Sequence, residues 1–177
     1  MPKWWPFKSK EAAQQENTYQ AEQDAFHSHE ATLQQELATQ IAEGISRQAI
    51  MKTWQAQMDA LEQAEPTPQV KGQLRAYDLL YGDLRTELGR NLNTGRALEM
   101  AGRVDEAIGY YETAVFDQMS TRFPYEHLRI IYRRREQIND ALRICQAALQ
   151  NPFLNKNDHA HFQSWADKLA YQLRGSQ

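Results

Sequence analysis

Along most of the chain, apolar residues return every three, four or seven positions, with polar residues between them. Tyr19, Phe26, Leu33, Leu37, Ile41 and Ile45 form one such series, and Ile50, Trp54, Met58 and Leu61 continue it. Residues 11–64 hold no proline and one glycine and are rich in Ala, Glu and Gln, which favour helix. The pattern predicts a long helix or helical pair with a narrow apolar face, bent or broken where Gly44 is followed by Ser46. That face must be covered, either by the C-terminal part or by a second copy of the chain. Glu65 to Pro68 reads EPTP, the strongest boundary signal in the sequence. Beyond it, Val70, Leu74, Tyr77, Tyr81, Leu84 and Leu88 fall at offsets 0, 4, 7, 11, 14 and 18, again a helical period. Gly82-Asp83 inside this run is the preferred place for a helix end and a new start, which would leave a separate helix over residues 69–81, and Gly89 is the other place for the break.

From residue 102 onward the pattern repeats. Val104, Ala107, Ile108, Tyr111, Ala114 and Val115 share their offsets with Ile138, Ala141, Leu142, Cys145, Ala148 and Leu149, 34 residues later. Each series follows a shorter helical pattern, Ala97-Leu98 in one case and Ile131-Tyr132 in the other, also 34 apart. The repeating unit is therefore two helices. Asn151-Pro152 ends the second unit. The polar NKND stretch then offers caps for a last helix at about 158–174, with Phe162, Trp165, Ala166, Leu169 and Leu173 on one face. No segment shows the alternation of a strand, so the expected class is all-α.

The period and the residues Gly95, Leu98, Gly102, Ala107, Tyr111 and Ala114, then Tyr125, Leu128, Tyr132, Ala141 and Ala148, resemble the tetratricopeptide repeat family. Two units are clear, over about residues 88–154. Small residues at 107 and 141 suit helices that cross closely. The chain departs from the family pattern at Asn91, where a large aromatic is common, and at Arg129 and Glu136, where glycine is usual. The resemblance implies a short α-α superhelix of antiparallel helix pairs, with the last helix as a cap. It also implies a concave groove lined by the first helix of each pair and used to bind peptides. The positions that match the groove are Leu92, Asn93, Arg96, Glu99 and Met100 in the first unit. In the second they are Phe123, Glu126, His127, Ile130, Arg133 and Arg134.

Charge divides the 177 residues into three zones. Residues 1–10 carry three Lys and no acid, Glu11 to Glu65 ten acids and two bases, and the remainder thirteen acids and fifteen bases. The expected pieces are an irregular aromatic and basic arm at 1–10, an acidic Gln-rich helical segment at 11–65, and a helical-repeat domain at 66–177. One cysteine, Cys145, excludes an internal disulfide and a thiolate zinc site, and fits a reducing compartment. No apolar run approaches the ~18 residues of a membrane span. The N-terminus lacks the apolar stretch of a secretory signal, so a cytoplasmic location is expected.

The sequence holds no phosphate-binding glycine loop, no HExxH and no GxSxG. His27 and His29, like His159 and His161, are two apart and point to different helix faces, a poor chelate. We therefore expect no catalytic site, no metal and no cofactor. Six Arg and three acids between Thr121 and Arg143 form the main basic cluster. A solvated face explains it, and so does an acidic peptide or protein partner; nucleic acid is disfavoured because the domain is nearly neutral. The expected function is a non-catalytic adaptor, scaffold or assembly factor that contacts a partner through Asn93, Arg96, Met100, Glu126, His127, Ile130, Arg133 and Arg134. The acidic 11–64 segment could cover the groove or make a homodimer. Trp4, Trp5 and Phe7 would anchor the arm on protein or, in the alternative reading, at a membrane surface.

Overall fold

The computed structural model describes residues 10–175, so the arm residues Trp4, Trp5 and Phe7 lie outside the described part. Seven α-helices and no strand make up the described chain: α1 (Lys10–Ala42), α2 (Arg47–Glu62), α3 (Pro68–Met100), α4 (Val104–Phe116), α5 (Phe123–Arg134), α6 (Ile138–Gln150) and α7 (Lys156–Gly175). The fold is all-α, as the periodicity predicts.

Side-chain caps explain where three of the helices start. The Ser46 hydroxyl accepts from the Ala49 N–H at 3.2 Å, that of Thr67 from Val70 at 3.3 Å, and the Asn155 carbonyl oxygen from Asp158 at 2.9 Å. Each satisfies an amide that the first helical turn leaves without a partner. Thr67 is followed by Pro68, whose missing N–H costs nothing at a helix start. α1 ends at the expected place, with Gly44 in the left-handed region at φ +83°.

The expected break at Gly82-Asp83 does not form, and residues 69–81 are not a separate helix. α3 runs unbroken for 33 residues. A helical glycine costs only about 1 kcal/mol relative to alanine. Tyr77, Leu80, Leu84 and Leu88 are all buried, so the apolar stripe keeps its period through the glycine and holds the helix together.

The contacts divide the chain into two compact units, residues up to 43 with 51–83, and residues 44–50 with 84–177. The EPTP turn, marked in the sequence as a boundary, joins two helices of the first unit. Its core is built from Ala25 and Leu33 of α1, Met51, Trp54 and Met58 of α2, and Ala76, Tyr77 and Leu80 of α3. α1 and α3 approach closely at Gly72, where a Cβ would stand 2.5 Å from the Glu22 carbonyl oxygen. Arg75 then pairs with Glu22 at 3.0 Å and covers the Phe26 ring. Most of the α1 stripe is thus covered, but Tyr19 and Ile45, expected on it, are exposed.

The second unit packs α4 on α5, α5 on α6 and α6 on α7. Its core keeps the 34-residue equivalence. Ala107 and Ala141 are fully buried, as are Tyr111, Cys145 and Ala148, and Ala114 almost so. Chain turns repeat too. Arg103 N–H donates to the Leu98 carbonyl and Gly102 N–H to that of Glu99; Gln137 donates to Tyr132 and Glu136 to Arg133 in the same way. This double bond pattern closes a helix through a left-handed residue. That residue is Gly102 at φ +78° in one turn and Glu136 at φ +61° in the other. Residues 44–50 are fastened to this unit by Arg47, whose guanidinium donates to both oxygens of the buried Asp117 at 2.9 and 3.1 Å. Burial pushes the Asp117 carboxyl above its usual range despite this pairing, so desolvation outweighs the guanidinium there.

Candidate interaction face

The open side of the second unit is read most simply from α5. Pro124, Tyr125, Leu128, Arg129, Ile131 and Tyr132 are buried. The other six residues of the helix, Phe123, Glu126, His127, Ile130, Arg133 and Arg134, are half-buried or exposed. They are the six that the resemblance to the repeat family places on the groove side. Helical spacing produces this division, because 123, 127, 130 and 134 fall at i, i+4, i+7 and i+11 on one stripe. On the last turns of α3, Asn93, Arg96 and Met100 are exposed and Glu99 is half-buried, while Leu92 leans into the core.

Two carboxylates on this side, Glu99 and Glu126, are occupied from within, whereas Glu136 at the Trp165 end is exposed. Glu99 accepts from the Tyr111 hydroxyl at 2.8 Å and lies 2.7 Å from His127 Nδ1. Glu126 is held by Arg129 and stands 2.8 Å from His161 Nε2. Burial raises the Glu126 pKa, but the two partners overcome it and leave the carboxyl below its ordinary value. Burial, with Glu99 beside it, drives the Tyr111 hydroxyl far above its usual range, so it stays a neutral donor. These contacts tie α3 to α5 and α5 to α7.

The cations separate into two groups. Arg122 lies 3.8 Å from Asp158, Arg135 pairs with Asp105 at 2.6 Å, Arg143 with Glu112 at 2.5 Å, and Arg129 with Glu126. Arg133 and Arg134 have no carboxylate partner among the described residues, and neither do Arg96 and Lys168 on the flanking helices. Arg129 is buried at 3% exposure, so it does not belong to the open basic cluster that its sequence neighbours suggest. It sits where the repeat has Gly95 in the preceding unit, and the size change is compensated. A Cβ at Gly95 would stand 2.8 Å from Tyr111 Cε1. One repeat on, the long Arg129 and the small Cys145 take the positions of Gly95 and Tyr111. Burial also pushes the Cys145 thiol up to about 12, leaving it protonated and inert.

Two of the unpaired guanidiniums lie on aromatic rings. Arg96 is 4.7 Å from the centroid of Phe123, which stacks on the His127 ring at 3.9 Å and meets buried Tyr111 edge-on at 5.8 Å. Arg133 is 5.3 Å from Trp165, and Lys168 is 4.8 Å from the same ring. Ile130 lies between these stations on α5. Depressions of about 660 Å³ beside Phe123 and about 520 Å³ beside Trp165 leave both ends accessible.

Trp165, Lys168 and His161 are absent from the sequence-derived contact set. Their spacing of four and three places them on one face of α7. That signal was legible, but Trp165 reads equally well as core. Among the described residues no three His, Cys, Asp or Glu side chains converge as a metal site. The histidine pairs diverge, His159 to the Asn151 carbonyl and His161 to Glu126. No described helix is long and apolar enough to cross a membrane. Comparison with models of known families, with curated proteins and with solved structures gives no match.

Proposed function

We propose that the chain is a non-catalytic interaction module, a short tetratricopeptide-type array whose open face binds an acidic segment of a partner protein. The observation that carries this reading is the sorting of charge on that face. Glu99 and Glu126 are satisfied within the fold, while Arg96, Arg133, Arg134 and Lys168 have no carboxylate partner among the described residues and outnumber Glu136, the exposed acid beside Trp165. A partner carboxylate therefore meets unpaired donors and little repulsion. Arginine suits the task because its planar fork matches a carboxylate. An aromatic ring beneath it, worth about 0.5–1 kcal/mol at an exposed site, also restrains the side chain before binding. Ile130 supplies apolar contact at the centre, and Asn93 and Met100 extend the surface along α3.

The test is titration of the full chain with a glutamate-rich peptide, beside a variant carrying Arg96→Gln, Arg133→Gln and Arg134→Gln together. Weaker binding by the variant supports the reading. Tighter binding of single-stranded nucleic acid than of the peptide, lost in the same variant, contradicts it and points to a phosphate backbone instead.

A further inference from the structure

We infer that this face reads an extended segment in which two carboxylates four residues apart flank a central apolar side chain. The inference rests on the reading above that the face binds an acidic segment, and adds the spacing to it. Phe123 carries the guanidinium of Arg96 at one end of α5, and Arg133 lies on Trp165 toward the other end. Ten residues of helix separate Phe123 from Arg133, a rise of about 15 Å. Side chains at both ends of the helix lean toward its N-terminus, so the spacing of the two stations along α5 stays near that rise. In an extended chain, side chains four residues apart point the same way and stand about 13 Å apart. A spacing of two spans about 7 Å and one of six about 20 Å, neither of which matches. The residue midway points to the same side and meets His127 and Ile130, both half-buried. An apolar side chain suits that point, because Glu99 already occupies His127 Nδ1 and Ile130 has no polar group. Both Arg heads lie beside rings, Arg133 sharing Trp165 with Arg129 at 3.8 Å, and neither has a carboxylate partner among the described residues, so each can take a carboxylate without giving up an internal ion pair.

Capped twelve-residue peptides of one composition test this. Each has a serine and glycine background, one leucine, and two glutamates placed symmetrically about it at a spacing of two, four or six. Nuclear magnetic resonance titration of the full chain should give binding to the spacing-four peptide about fivefold tighter than to either other. Equal affinity for all three overturns the spacing while leaving the acidic-segment reading in place. Binding of none overturns both. Pairing Arg96→Gln and Arg133→Gln with glutamate-to-glutamine changes in the peptide gives a second readout. Each Arg should couple to a different glutamate. Coupling of both to the same one, or of neither to any, contradicts the geometry, and the peptide series stands whether or not a variant folds.

Discussion

Glu136 takes the left-handed conformation that Gly102 takes 34 residues earlier, with the same pair of turn hydrogen bonds around it. A side chain in that region costs roughly 1–2 kcal/mol, part of which glycine returns as freedom in the unfolded chain. Glu136→Gly should therefore raise the unfolding free energy by about 1 kcal/mol, seen as a higher urea midpoint at unchanged slope. An unchanged or lower midpoint would mean that the glutamate side chain contributes something the turn alone does not show. At this scale the sequence is a good guide to size and a poor one to compensation. The small residues at 107 and 141 are legible because two helices cross there. The exchange of a Gly95–Tyr111 contact for Arg129 and Cys145 is not legible as one event. Its two halves lie on different helices, and a charged residue is rarely assigned to a core. The helical wheel did hold a clue, since Arg129 lies four residues after Tyr125 and three before Tyr132, both buried.

Whether a helix continues is settled by the element, not by one residue. Gly82 left α3 intact because the buried stripe runs across it, whereas Gly44 ended α1 because its left-handed backbone closes the helix. The sequence shows glycine in both places and does not show the φ angle that separates them. Gly72 has a third role. A Cβ there would meet the Glu22 carbonyl at 2.5 Å, Ala25 Cβ at 2.7 Å and the Phe26 amide at 2.7 Å, two of them backbone atoms that cannot step aside. Gly72→Ala should force α1 from α3 and lower stability by about 3 kcal/mol, measured by thermal or urea unfolding. A loss under half that would mean the two helices slide freely. The same helices hold His29, packed on Tyr77 with ring centroids 4.9 Å apart. Burial lowers the His29 pKa from 6.5, with Glu36 opposing weakly. A histidine whose folded pKa is depressed contributes stability above the unfolded value and loses it as pH falls through the folded one. The melting temperature should then fall as pH drops below 6.5, and fall less in His29→Leu. Parallel pH curves for the two proteins would assign the slope to other groups.

Across the whole molecule, the organisation into helices and the repeat were legible, because periodicity and a 34-residue echo survive without any knowledge of contacts. The open face was legible in part. The resemblance to the repeat family picks out the six residues of α5 that the structure leaves half-buried or exposed. What it cannot supply is which charges are already spent. Four of the six Arg between Thr121 and Arg143 are paired, three of them with acids outside that stretch or on another helix, and the sequence does not show those pairings. The cluster that looks uniformly basic thus reduces to Arg133 and Arg134, joined on the face by Arg96 and Lys168. This sorting is the centre of the account, and one measurement addresses it directly: the affinity of a glutamate-rich peptide for the wild-type chain and for the Arg96→Gln, Arg133→Gln, Arg134→Gln variant at low and at moderate salt. The account predicts about tenfold weaker binding by the variant at low salt, and a smaller gap between the two proteins as salt rises. Equal affinities at both salts would contradict it, and would place the partner surface elsewhere on the molecule.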